Sequence, residues 1–326
     1  MPTLTVVVPA TDSPATLDRC LAAIRATTDP PEELIVVTEP RGAGPAAARN
    51  DGAARARGDI LVFVDSDVLV AADTFTRIRA TLADPTIAAV FGAYDDRPEA
   101  SGLVSRFRNL LHHHVHARAG GAAETFWAGL GAVRREVFAD VGGFDAARYP
   151  QPSIEDVELG LRLHETGART RLDPSIRGTH LKRWTVGSMV ETDLLRRGAP
   201  WVELLVERRA APTHLNLGSR ERLSTVVALA GTAALVARRP ALAAGAAAGL
   251  VALNPALYRL LAARLGPVAA VACVPLHALH LVTAAASVPL GLAYAAASPA
   301  SSSKSAPSTA PPSSRYSASL FTDQTS

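Results

Sequence analysis

Cysteine is scarce in this chain, with two residues among 326, and this scarcity limits the kinds of site that the protein can form. Cys20 and Cys273 lie in very different segments and have neither CxxC nor zinc-ligand spacing, so neither a disulfide framework nor a zinc site is indicated. The first residues also lack the basic, apolar and small-residue regions of a signal peptide. We therefore expect the N-terminal part to remain on the reducing, cytoplasmic side.

A strong excess of charge of one sign is missing as well. The formal net charge is +3, and no basic stripe with interleaved aromatic residues is present. Domains that bind nucleic acid usually concentrate Lys and Arg on one face. Nucleic acid is therefore not an expected partner.

Charge is nearly absent from three stretches of the C-terminal third, 224–237, 241–253 and 267–297, which are rich in Ala, Val and Leu. A helix needs about 20 apolar residues to span a bilayer. The longest stretch meets this requirement, whereas the two shorter ones form either two short spans or a hairpin within one leaflet. We predict a multi-pass or hairpin-anchored membrane protein with two or three hydrophobic segments. An Ala-rich soluble helical bundle is the alternative.

The composition divides the chain into three regions. We predict a catalytic domain over 1–210, a membrane-associated helical region over 211–297 and a disordered tail over 298–326. The tail is rich in Ser, Pro and Ala, and such a composition cannot bury enough apolar surface to fold.

The first ninety residues alternate between strand and helix patterns. Strands that are separated by single helices need right-handed crossovers, which give parallel sheets with helices on both faces. We therefore predict an α/β domain of the Rossmann-like kind, with a mostly parallel sheet and helices on both faces. Ligands bind such sheets at the carboxyl ends of the strands. The predicted strands are 4–8, 33–37, 60–64 and 87–94, and the predicted helices are 16–27, 45–57 and 73–83.

Two carboxylates follow the third predicted strand, in the triplet Asp65-Ser66-Asp67. A divalent cation with oxygen ligands binds a diphosphate and neutralises the charge that grows on it as it leaves. Carboxylates at a strand end indicate such a cation. A solvated turn is the alternative, because Asp-x-Asp is common in surface turns.

A second acidic pair, Glu155-Asp156, opens a predicted helix over 155–165. Carboxylates in the first turn stabilise the helix dipole, and this role alone would explain them. A functional carboxylate at this position would be a general base that accepts a proton from an acceptor hydroxyl.

Five short motifs follow one another along the chain. They are Pro9-Ala10-Thr11, Pro45-Ala46-Ala47-Ala48-Arg49-Asn50-Asp51-Gly52, Asp65-Ser66-Asp67, Gly142-Gly143-Phe144-Asp145 and Glu155-Asp156. Their order and rough spacing resemble those of the family 2 glycosyltransferases, which have the GT-A fold, over about residues 3–200. The resemblance implies an inverting transfer of a sugar from a UDP- or GDP-linked donor. It implies that Asp65 contacts the nucleoside and that Asp67 holds Mn²⁺ or Mg²⁺ on the diphosphate. It also implies that Asp156 is the catalytic base, with Glu155 beside it.

The segment from His180 to Trp184 falls where this family often has a histidine or a Gln-x-x-Arg-Trp element. Arg183 and Trp184 fit the end of that element, but no Gln precedes them at the expected place. We interpret His180 as a metal ligand and Lys182 and Arg183 as contacts of a diphosphate or lipid phosphate. Trp184 belongs to the same site or anchors the following helix, 186–197, at the membrane surface. A strand-end histidine and a solvated basic turn are the alternative.

The nucleotide side departs from the family pattern. Many relatives have an Asp pair after the second strand that grips the base and ribose, whereas this chain has Glu39 between Thr and Pro. We assign Glu39 to that role, together with Pro9 and Thr11 after the first strand. Arg49 is a candidate contact of the diphosphate or ribose, and an ordinary helix-surface charge is the alternative.

Four histidines, His112, His113, His114 and His116, lie within the segment 106–118. A tetrahedral metal site needs ligands on one face, whereas consecutive residues of a helix point in different directions, so such a site is not expected. The segment either faces the acceptor or is an amphipathic helix with a polar face.

The sequence thus predicts a membrane-anchored, metal-dependent glycosyltransferase with a lipid or glycan acceptor. A processive polysaccharide synthase is a rival, although it would bring more spans and a complete Gln-x-x-Arg-Trp. A non-catalytic, nucleotide-sugar-binding membrane subunit would not need to keep Asp65, Asp67 and Asp156. A sugar nucleotidyltransferase would open with a glycine-rich phosphate loop, which residues 9–13 do not form.

Overall fold

The computed structural model describes residues 2–209 and 218–297, and a single sheet lies at the centre of the described residues. Its strands are β1 (Leu4–Pro9), β2 (Glu33–Val37), β3 (Ile60–Val64), β4 (Val68–Val70), β5 (Ile87–Tyr94), β6 (Gly121–Ala123), β7 (Leu130–Arg134) and β8 (Arg169–His180). The strand order is β2-β1-β3-β7-β5-β8-β4, and β6 pairs with β8.

Helices connect these strands and make up the C-terminal region. They are α1 (Leu17–Arg25), α2 (Gly44–Arg55), α3 (Thr74–Leu82), α4 (Leu103–Arg118), α5 (Arg135–Asp140), α6 (Glu155–Glu165), α7 (Val186–Glu191), a π-helix (Thr192–Gly198), α8 (Ala199–Arg208), α9 (Ser219–Val236), α10 (Pro240–Leu253), α11 (Pro255–Leu265), α12 (Pro267–Ala272) and α13 (Val274–Ala297).

Most predicted elements agree with the structure. The strands at 33–37, 60–64 and 87–94 and the helix at 155–165 agree residue for residue. The apolar run of β3 is buried at every position because this strand lies between two others in the middle of the sheet. The segment 186–197 was expected to be one helix, but it divides into α7 and the π-helix.

The predicted α/β fold is confirmed, with a sheet that is mixed rather than mostly parallel. Three of its strand pairs are parallel (β1–β2, β1–β3 and β5–β8), and four are antiparallel. The difference arises largely from β7, which was not expected as a strand and runs antiparallel to both of its neighbours, β3 and β5. Its insertion brings the preceding loop beside the end of β3, where the Asp65 N–H donates to the Gly129 carbonyl (3.1 Å).

A second apolar core joins the sheet domain to the C-terminal helices. Phe107 and Leu110 of α4 are fully buried, and they pack with Met189 and with Leu257 and Leu261 of α11. Burying side chains of this size stabilises the contact by about 1.5–3 kcal/mol each. The C-terminal helices therefore dock on α4 instead of extending away from the domain.

One stretch of the described residues, Pro267–Ala297, has the length and apolar composition needed to cross a membrane. The pair α10 and α11 passes the same test only when taken together, and it is bent by 90°. Large apolar side chains such as Leu242, Val268 and Val271 are exposed on these helices. One or two of the two or three predicted segments therefore have a structural counterpart. The predicted tail, 298–326, lies outside the described residues.

Gly160 allows α6 to approach the loop before β7. A Cβ added there would lie 2.2 Å from the backbone nitrogen of Phe126, which cannot move aside as a flexible side chain would. We expect Gly160→Ala to destabilise the fold by about 1–3 kcal/mol through overpacking, although alanine favours a helix interior by about 1 kcal/mol. The midpoint of thermal unfolding in detergent measures the effect.

Gly245 of α10 provides the matched control. A Cβ added there meets no heavy atom within 4 Å, so Gly245→Ala should leave the midpoint unchanged or raise it. Equal shifts for the two variants would contradict the close approach of α6.

Candidate active site

A cavity of about 340 Å³ opens where β3 and β8 end. The predicted site residues that line it are Asp65, Asp67, Asp156, His180, Lys182 and Trp184. The other lining residues are Tyr94, Arg108, Asn109, Leu111, His112, Val115, His116, Trp127, Pro152, Arg197 and His280. The fold thus unites both acidic motifs with the basic segment that follows β8.

Strand pairing places His180 beside the acidic turn between β3 and β4. The turn is closed by a hydrogen bond from the Val68 N–H to the Asp65 carbonyl (2.9 Å). Val68 is the register partner of His180 in the antiparallel β4–β8 pair. The Leu181 N–H also donates to the Asp67 carbonyl (2.8 Å). Backbone hydrogen bonds therefore fix the position of His180 relative to the two aspartates.

Arg49 of α2 joins the two acidic motifs from beneath the cavity. Its Nη2 lies 2.6 Å from Asp65 Oδ1, and its Nη1 lies 2.9 Å from Glu155 Oε1. The side chain is 4% exposed, and it lies over the Phe144 ring. Burial opposes the charged form of Arg49, but the charges of Asp65, Glu155 and Asp156 outweigh this effect and raise its pKa. Arg49 is therefore not the helix-surface charge that was considered as an alternative.

Asp156 lies in the first turn of α6 and faces the cavity. Its Oδ2 accepts a hydrogen bond from the Ala128 N–H (3.1 Å), which belongs to the loop before β7. Burial and the neighbouring charge of Glu155 raise the pKa of Asp156 to about 6, although Arg49 and Arg197 act in the opposite direction. A carboxylate with such a pKa is a stronger base than an ordinary aspartate and is still ionised at neutral pH.

Asp67 and His180 form the part of the site that suits a divalent cation. Asp67 Oδ2 lies 3.3 Å from His180 Nε2. Burial raises the pKa of Asp67, but the contact with His180 and the charges of His180 and Lys182 outweigh it and hold the pKa below its usual value.

The two protein ligands, Asp67 and His180, are compatible with a cation that the substrate helps to bind. Among the described residues, no group of three His, Cys, Asp or Glu side chains is placed to hold a metal. Magnesium is commonly bound by one or two carboxylates together with substrate phosphates. Asp67 and His180 fit such a site, in which a diphosphate completes the coordination shell.

Two cationic side chains line the same cavity. Lys182 Nζ lies 4.4 Å from the centre of the Trp184 ring. Arg197 belongs to the π-helix, and within residues 2–209 and 218–297 no ion pair of its side chain is found, whereas the adjacent Arg196 pairs with Glu191 (2.7 Å). No motif in the sequence marked Arg197, because it fell inside a predicted regular helix.

A buried charged cluster connects the cavity with the C-terminal helix α13. Arg108 Nη2 lies 2.8 Å from Asp193 Oδ1, and His280 Nδ1 lies 2.7 Å from Asp193 Oδ2. The Arg108 guanidinium also lies over the Trp184 ring. No sequence signal marks Asp193 or His280, because their partners are distant in the chain and neither residue belongs to a recognisable motif.

The histidine segment on α4 contributes two uncharged side chains, His112 and His116, to the wall of the cavity. The rings of His112 and His116 are 3.9 Å apart, and the ring of His112 lies 4.2 Å from that of Tyr94. Burial lowers the pKa of His116 to about 4 and that of His112 well below its ordinary value. His113 points elsewhere and contacts the Tyr94 carbonyl (2.8 Å). The segment is therefore not a solvated polar face, and its contact with an acceptor stays a prediction.

Five of the predicted nucleotide contacts do not line this cavity. Glu39 is exposed and lies 3.7 Å from Arg41. Pro9 and Thr11 are buried at the end of β1, and Arg183 is exposed after β8. Arg49 and Glu155 lie beneath the cavity, as described above. The roles of Glu39, Pro9, Thr11 and Arg183 in nucleotide binding stay predictions.

The chain is similar to known glycosyltransferases. The family model described as glycosyl transferase family 21 matches residues 31–285. Among solved structures, a mannosyltransferase from Pyrobaculum calidifontis in complex with GDP-Man and Mn²⁺ is 20% identical. The likeness covers 88% of this chain and 87% of that chain with a TM-score of 0.57, and it shows the fold.

A second solved structure is more distant. Glucosyl-3-phosphoglycerate synthase from Mycobacterium tuberculosis, in complex with Mn²⁺, UDP-Glc and phosphoglyceric acid, is 19% identical and covers 65% of this chain and 81% of its own, with a TM-score of 0.41. No curated protein sequence matches the chain.

The shared guanidinium of Arg49 gives a stability prediction. In Arg49→Lys one ammonium nitrogen replaces the two guanidinium nitrogens that contact Asp65 and Glu155 separately, so at least one of the carboxylates loses its short contact. Breaking a buried pair in this way costs about 3–5 kcal/mol. Denaturant unfolding in detergent measures the loss.

Arg55, on the same helix, provides the control. Its pair with Asp51 (3.1 Å) is about half exposed on both sides, so Arg55→Lys should change the free energy of unfolding by less than about 0.5 kcal/mol. If Arg49→Lys loses as little free energy of unfolding as Arg55→Lys, Arg49 acts only as one more surface charge of α2.

Proposed function

The chain belongs to glycosyl transferase family 21, and on that premise we propose that it transfers a sugar from a nucleotide-diphosphate sugar to a hydroxyl of a membrane-associated acceptor, with inversion. The class of enzyme and the GT-A-type fold agree with the sequence prediction, and the matching family is 21 where the motifs resembled family 2. The observation that carries the proposal is the convergence of Asp65, Asp67, Asp156 and His180 on one cavity.

On the donor side, Asp67 and His180 hold Mn²⁺ or Mg²⁺, and Lys182 and Arg197 bind the diphosphate. The 3.3 Å approach of Asp67 to His180 and the position of both cationic side chains in the cavity wall support this assignment. The cation supplies positive charge that stabilises the departing nucleoside diphosphate. The donor is UDP- or GDP-linked, and Asp65 contacts its nucleoside.

On the acceptor side, Asp156 is the general base. It takes the proton of the acceptor hydroxyl while the hydroxyl oxygen bonds to the anomeric carbon. The bond between that carbon and the diphosphate oxygen breaks in the same step, and the electron pair leaves with the nucleoside diphosphate. A single displacement of this kind inverts the anomeric centre. The raised pKa of Asp156 and its hydrogen bond from Ala128 support the assignment, because a base works best when its pKa is near the working pH.

The C-terminal helices hold the enzyme beside a lipid-linked or glycan acceptor, with the catalytic domain of 1–210 on the cytoplasmic side and the region 211–297 at the membrane. The length of Pro267–Ala297 and the place of His280 in the cavity wall support this arrangement. An acceptor that is confined to the same membrane meets the site more often than a dissolved one.

Release of nucleotide from a panel of UDP- and GDP-sugars tests the proposal. Detergent-solubilised protein is supplied with membrane lipid extract and Mn²⁺. We expect one donor to be turned over in a metal-dependent way and Asp156→Asn to lower the rate by about 10²- to 10⁴-fold. Asp140→Asn, at an exposed position of α5, is the control and should keep the wild-type rate. Equal turnover by Asp156→Asn and the wild type would contradict the assignment of Asp156 as the general base.

The pH dependence of kcat/KM gives a sharper test of the environment of Asp156. Only the unprotonated carboxylate accepts a proton, so kcat/KM should rise with pH and level off above about 6. Glu155 raises the pKa of Asp156 through its negative charge. Glu155→Gln removes that charge, and we expect the rising limb to move to lower pH.

Glu165→Gln is the control for this shift. Glu165 lies at the opposite end of the same helix and pairs with Arg208 at an exposed position, so its replacement should leave the limb in place. A limb that does not move in Glu155→Gln would assign the profile to a group other than Asp156.

A further inference from the structure

Asn109, a buried residue of α4, contacts His180 at two points. Its Oδ1 lies 2.9 Å from His180 Nδ1, and its Nδ2 lies 3.4 Å from the His180 carbonyl oxygen. Asn109 lies 71 positions before His180 in the chain, and nothing in the sequence connects the two.

The orientation of the Asn109 amide follows from its backbone contact. A carbonyl oxygen only accepts hydrogen bonds, so the NH₂ group of Asn109 must face the carbonyl of His180. The opposite orientation would bring two oxygens together. Oδ1 therefore faces the imidazole ring, and because Oδ1 also only accepts, Nδ1 of His180 must carry a proton.

This arrangement determines what the other ring nitrogen can do. In a neutral imidazole with a proton on Nδ1, Nε2 has a free lone pair. Nε2 is the nitrogen that lies 3.3 Å from Asp67 Oδ2. When the ring is protonated, Nε2–H faces the Asp67 carboxylate, and when the ring is neutral, the lone pair of Nε2 and the carboxylate face each other across a place that suits a cation. The ring cannot easily turn away, because it stacks on Tyr94 with 4.3 Å between centroids and 9° between planes.

We propose that Asn109 is a positioning residue that selects the Nδ1–H tautomer of His180 and so presents Nε2 as a ligand for the divalent cation bound with Asp67. The inference rests on the proposed function, in which Asp67 and His180 hold that cation. Partners of the second ring nitrogen fix the orientation of metal-binding histidines and raise their basicity, and their loss typically weakens metal binding by 10- to 100-fold.

Mn²⁺ binding to the full-length protein in the presence of UDP or GDP tests the proposal without turnover. Electron paramagnetic resonance of free Mn²⁺ gives the dissociation constant. We expect Asn109→Leu, which has a similar size but no acceptor, to weaken Mn²⁺ binding by about 10- to 100-fold. Asn109→Asp retains an acceptor for Nδ1–H but places its second oxygen against the His180 carbonyl, so it should bind Mn²⁺ more tightly than Asn109→Leu and no more tightly than the wild type. If Asn109→Leu does not fold, Asn109→Ala replaces it.

Ser105→Ala is the matched control. Ser105 is buried one helical turn before Asn109 on α4, and its hydroxyl accepts a hydrogen bond from the Trp184 N–H (2.9 Å) rather than contacting His180. Ser105→Ala removes a buried hydrogen bond of the same helix, so its Mn²⁺ affinity shows the effect of perturbing α4 without touching His180. We expect its affinity for Mn²⁺ to equal that of the wild type.

The outcomes separate this inference from the proposed function. If His180→Ala loses Mn²⁺ binding while Asn109→Leu binds like the wild type, the cation site stands and the role of Asn109 is wrong. The role is also wrong if Ser105→Ala weakens binding as much as Asn109→Leu. If Asp67→Asn and His180→Ala both bind Mn²⁺ with wild-type affinity, the cation site itself is wrong.

Discussion

The buried guanidinium of Arg49 is the interaction on which the rest of the site depends. It lies between Asp65, which follows β3, and Glu155, which opens α6. Without a positive charge between them, these carboxylates would repel each other in a poorly solvated place. Because Arg49 holds the end of β3 and the start of α6 together, it also determines how far Asp156 lies from the donor side. One side chain thus links the nucleotide end of the cavity with the proposed general base, Asp156.

A second constraint comes from elements that surround the cavity. The antiparallel pairing of β4 with β8 places His180 beside Asp67, and α4 adds its wall of histidines. The C-terminal helix α13 reaches the same cavity through His280, which Asp193 holds. The helices that would anchor the enzyme therefore also complete its site. Such an arrangement suits an enzyme whose acceptor arrives from the membrane.

Local signals in the sequence were sufficient for part of this account. The apolar run of β3 and the acidic first turn of α6 each carry their pattern within a few residues, and both agree with the structure. The strand β7 was missed because a short segment that contains glycine carries little periodicity. Asn109 and His280 were missed for another reason. Their partners are remote in sequence, and only the completed fold brings them together.

In the proposed reaction one base, Asp156, drives a single displacement at the anomeric carbon. The most direct test is the anomeric configuration of the first product formed from an α-linked nucleotide sugar, measured by NMR. We expect a β-linked product, because the hydroxyl attacks from the face opposite the diphosphate. An α-linked product would require two displacements through a covalent intermediate or another mechanism of retention, and it would contradict the single displacement in which Asp156 acts as the base.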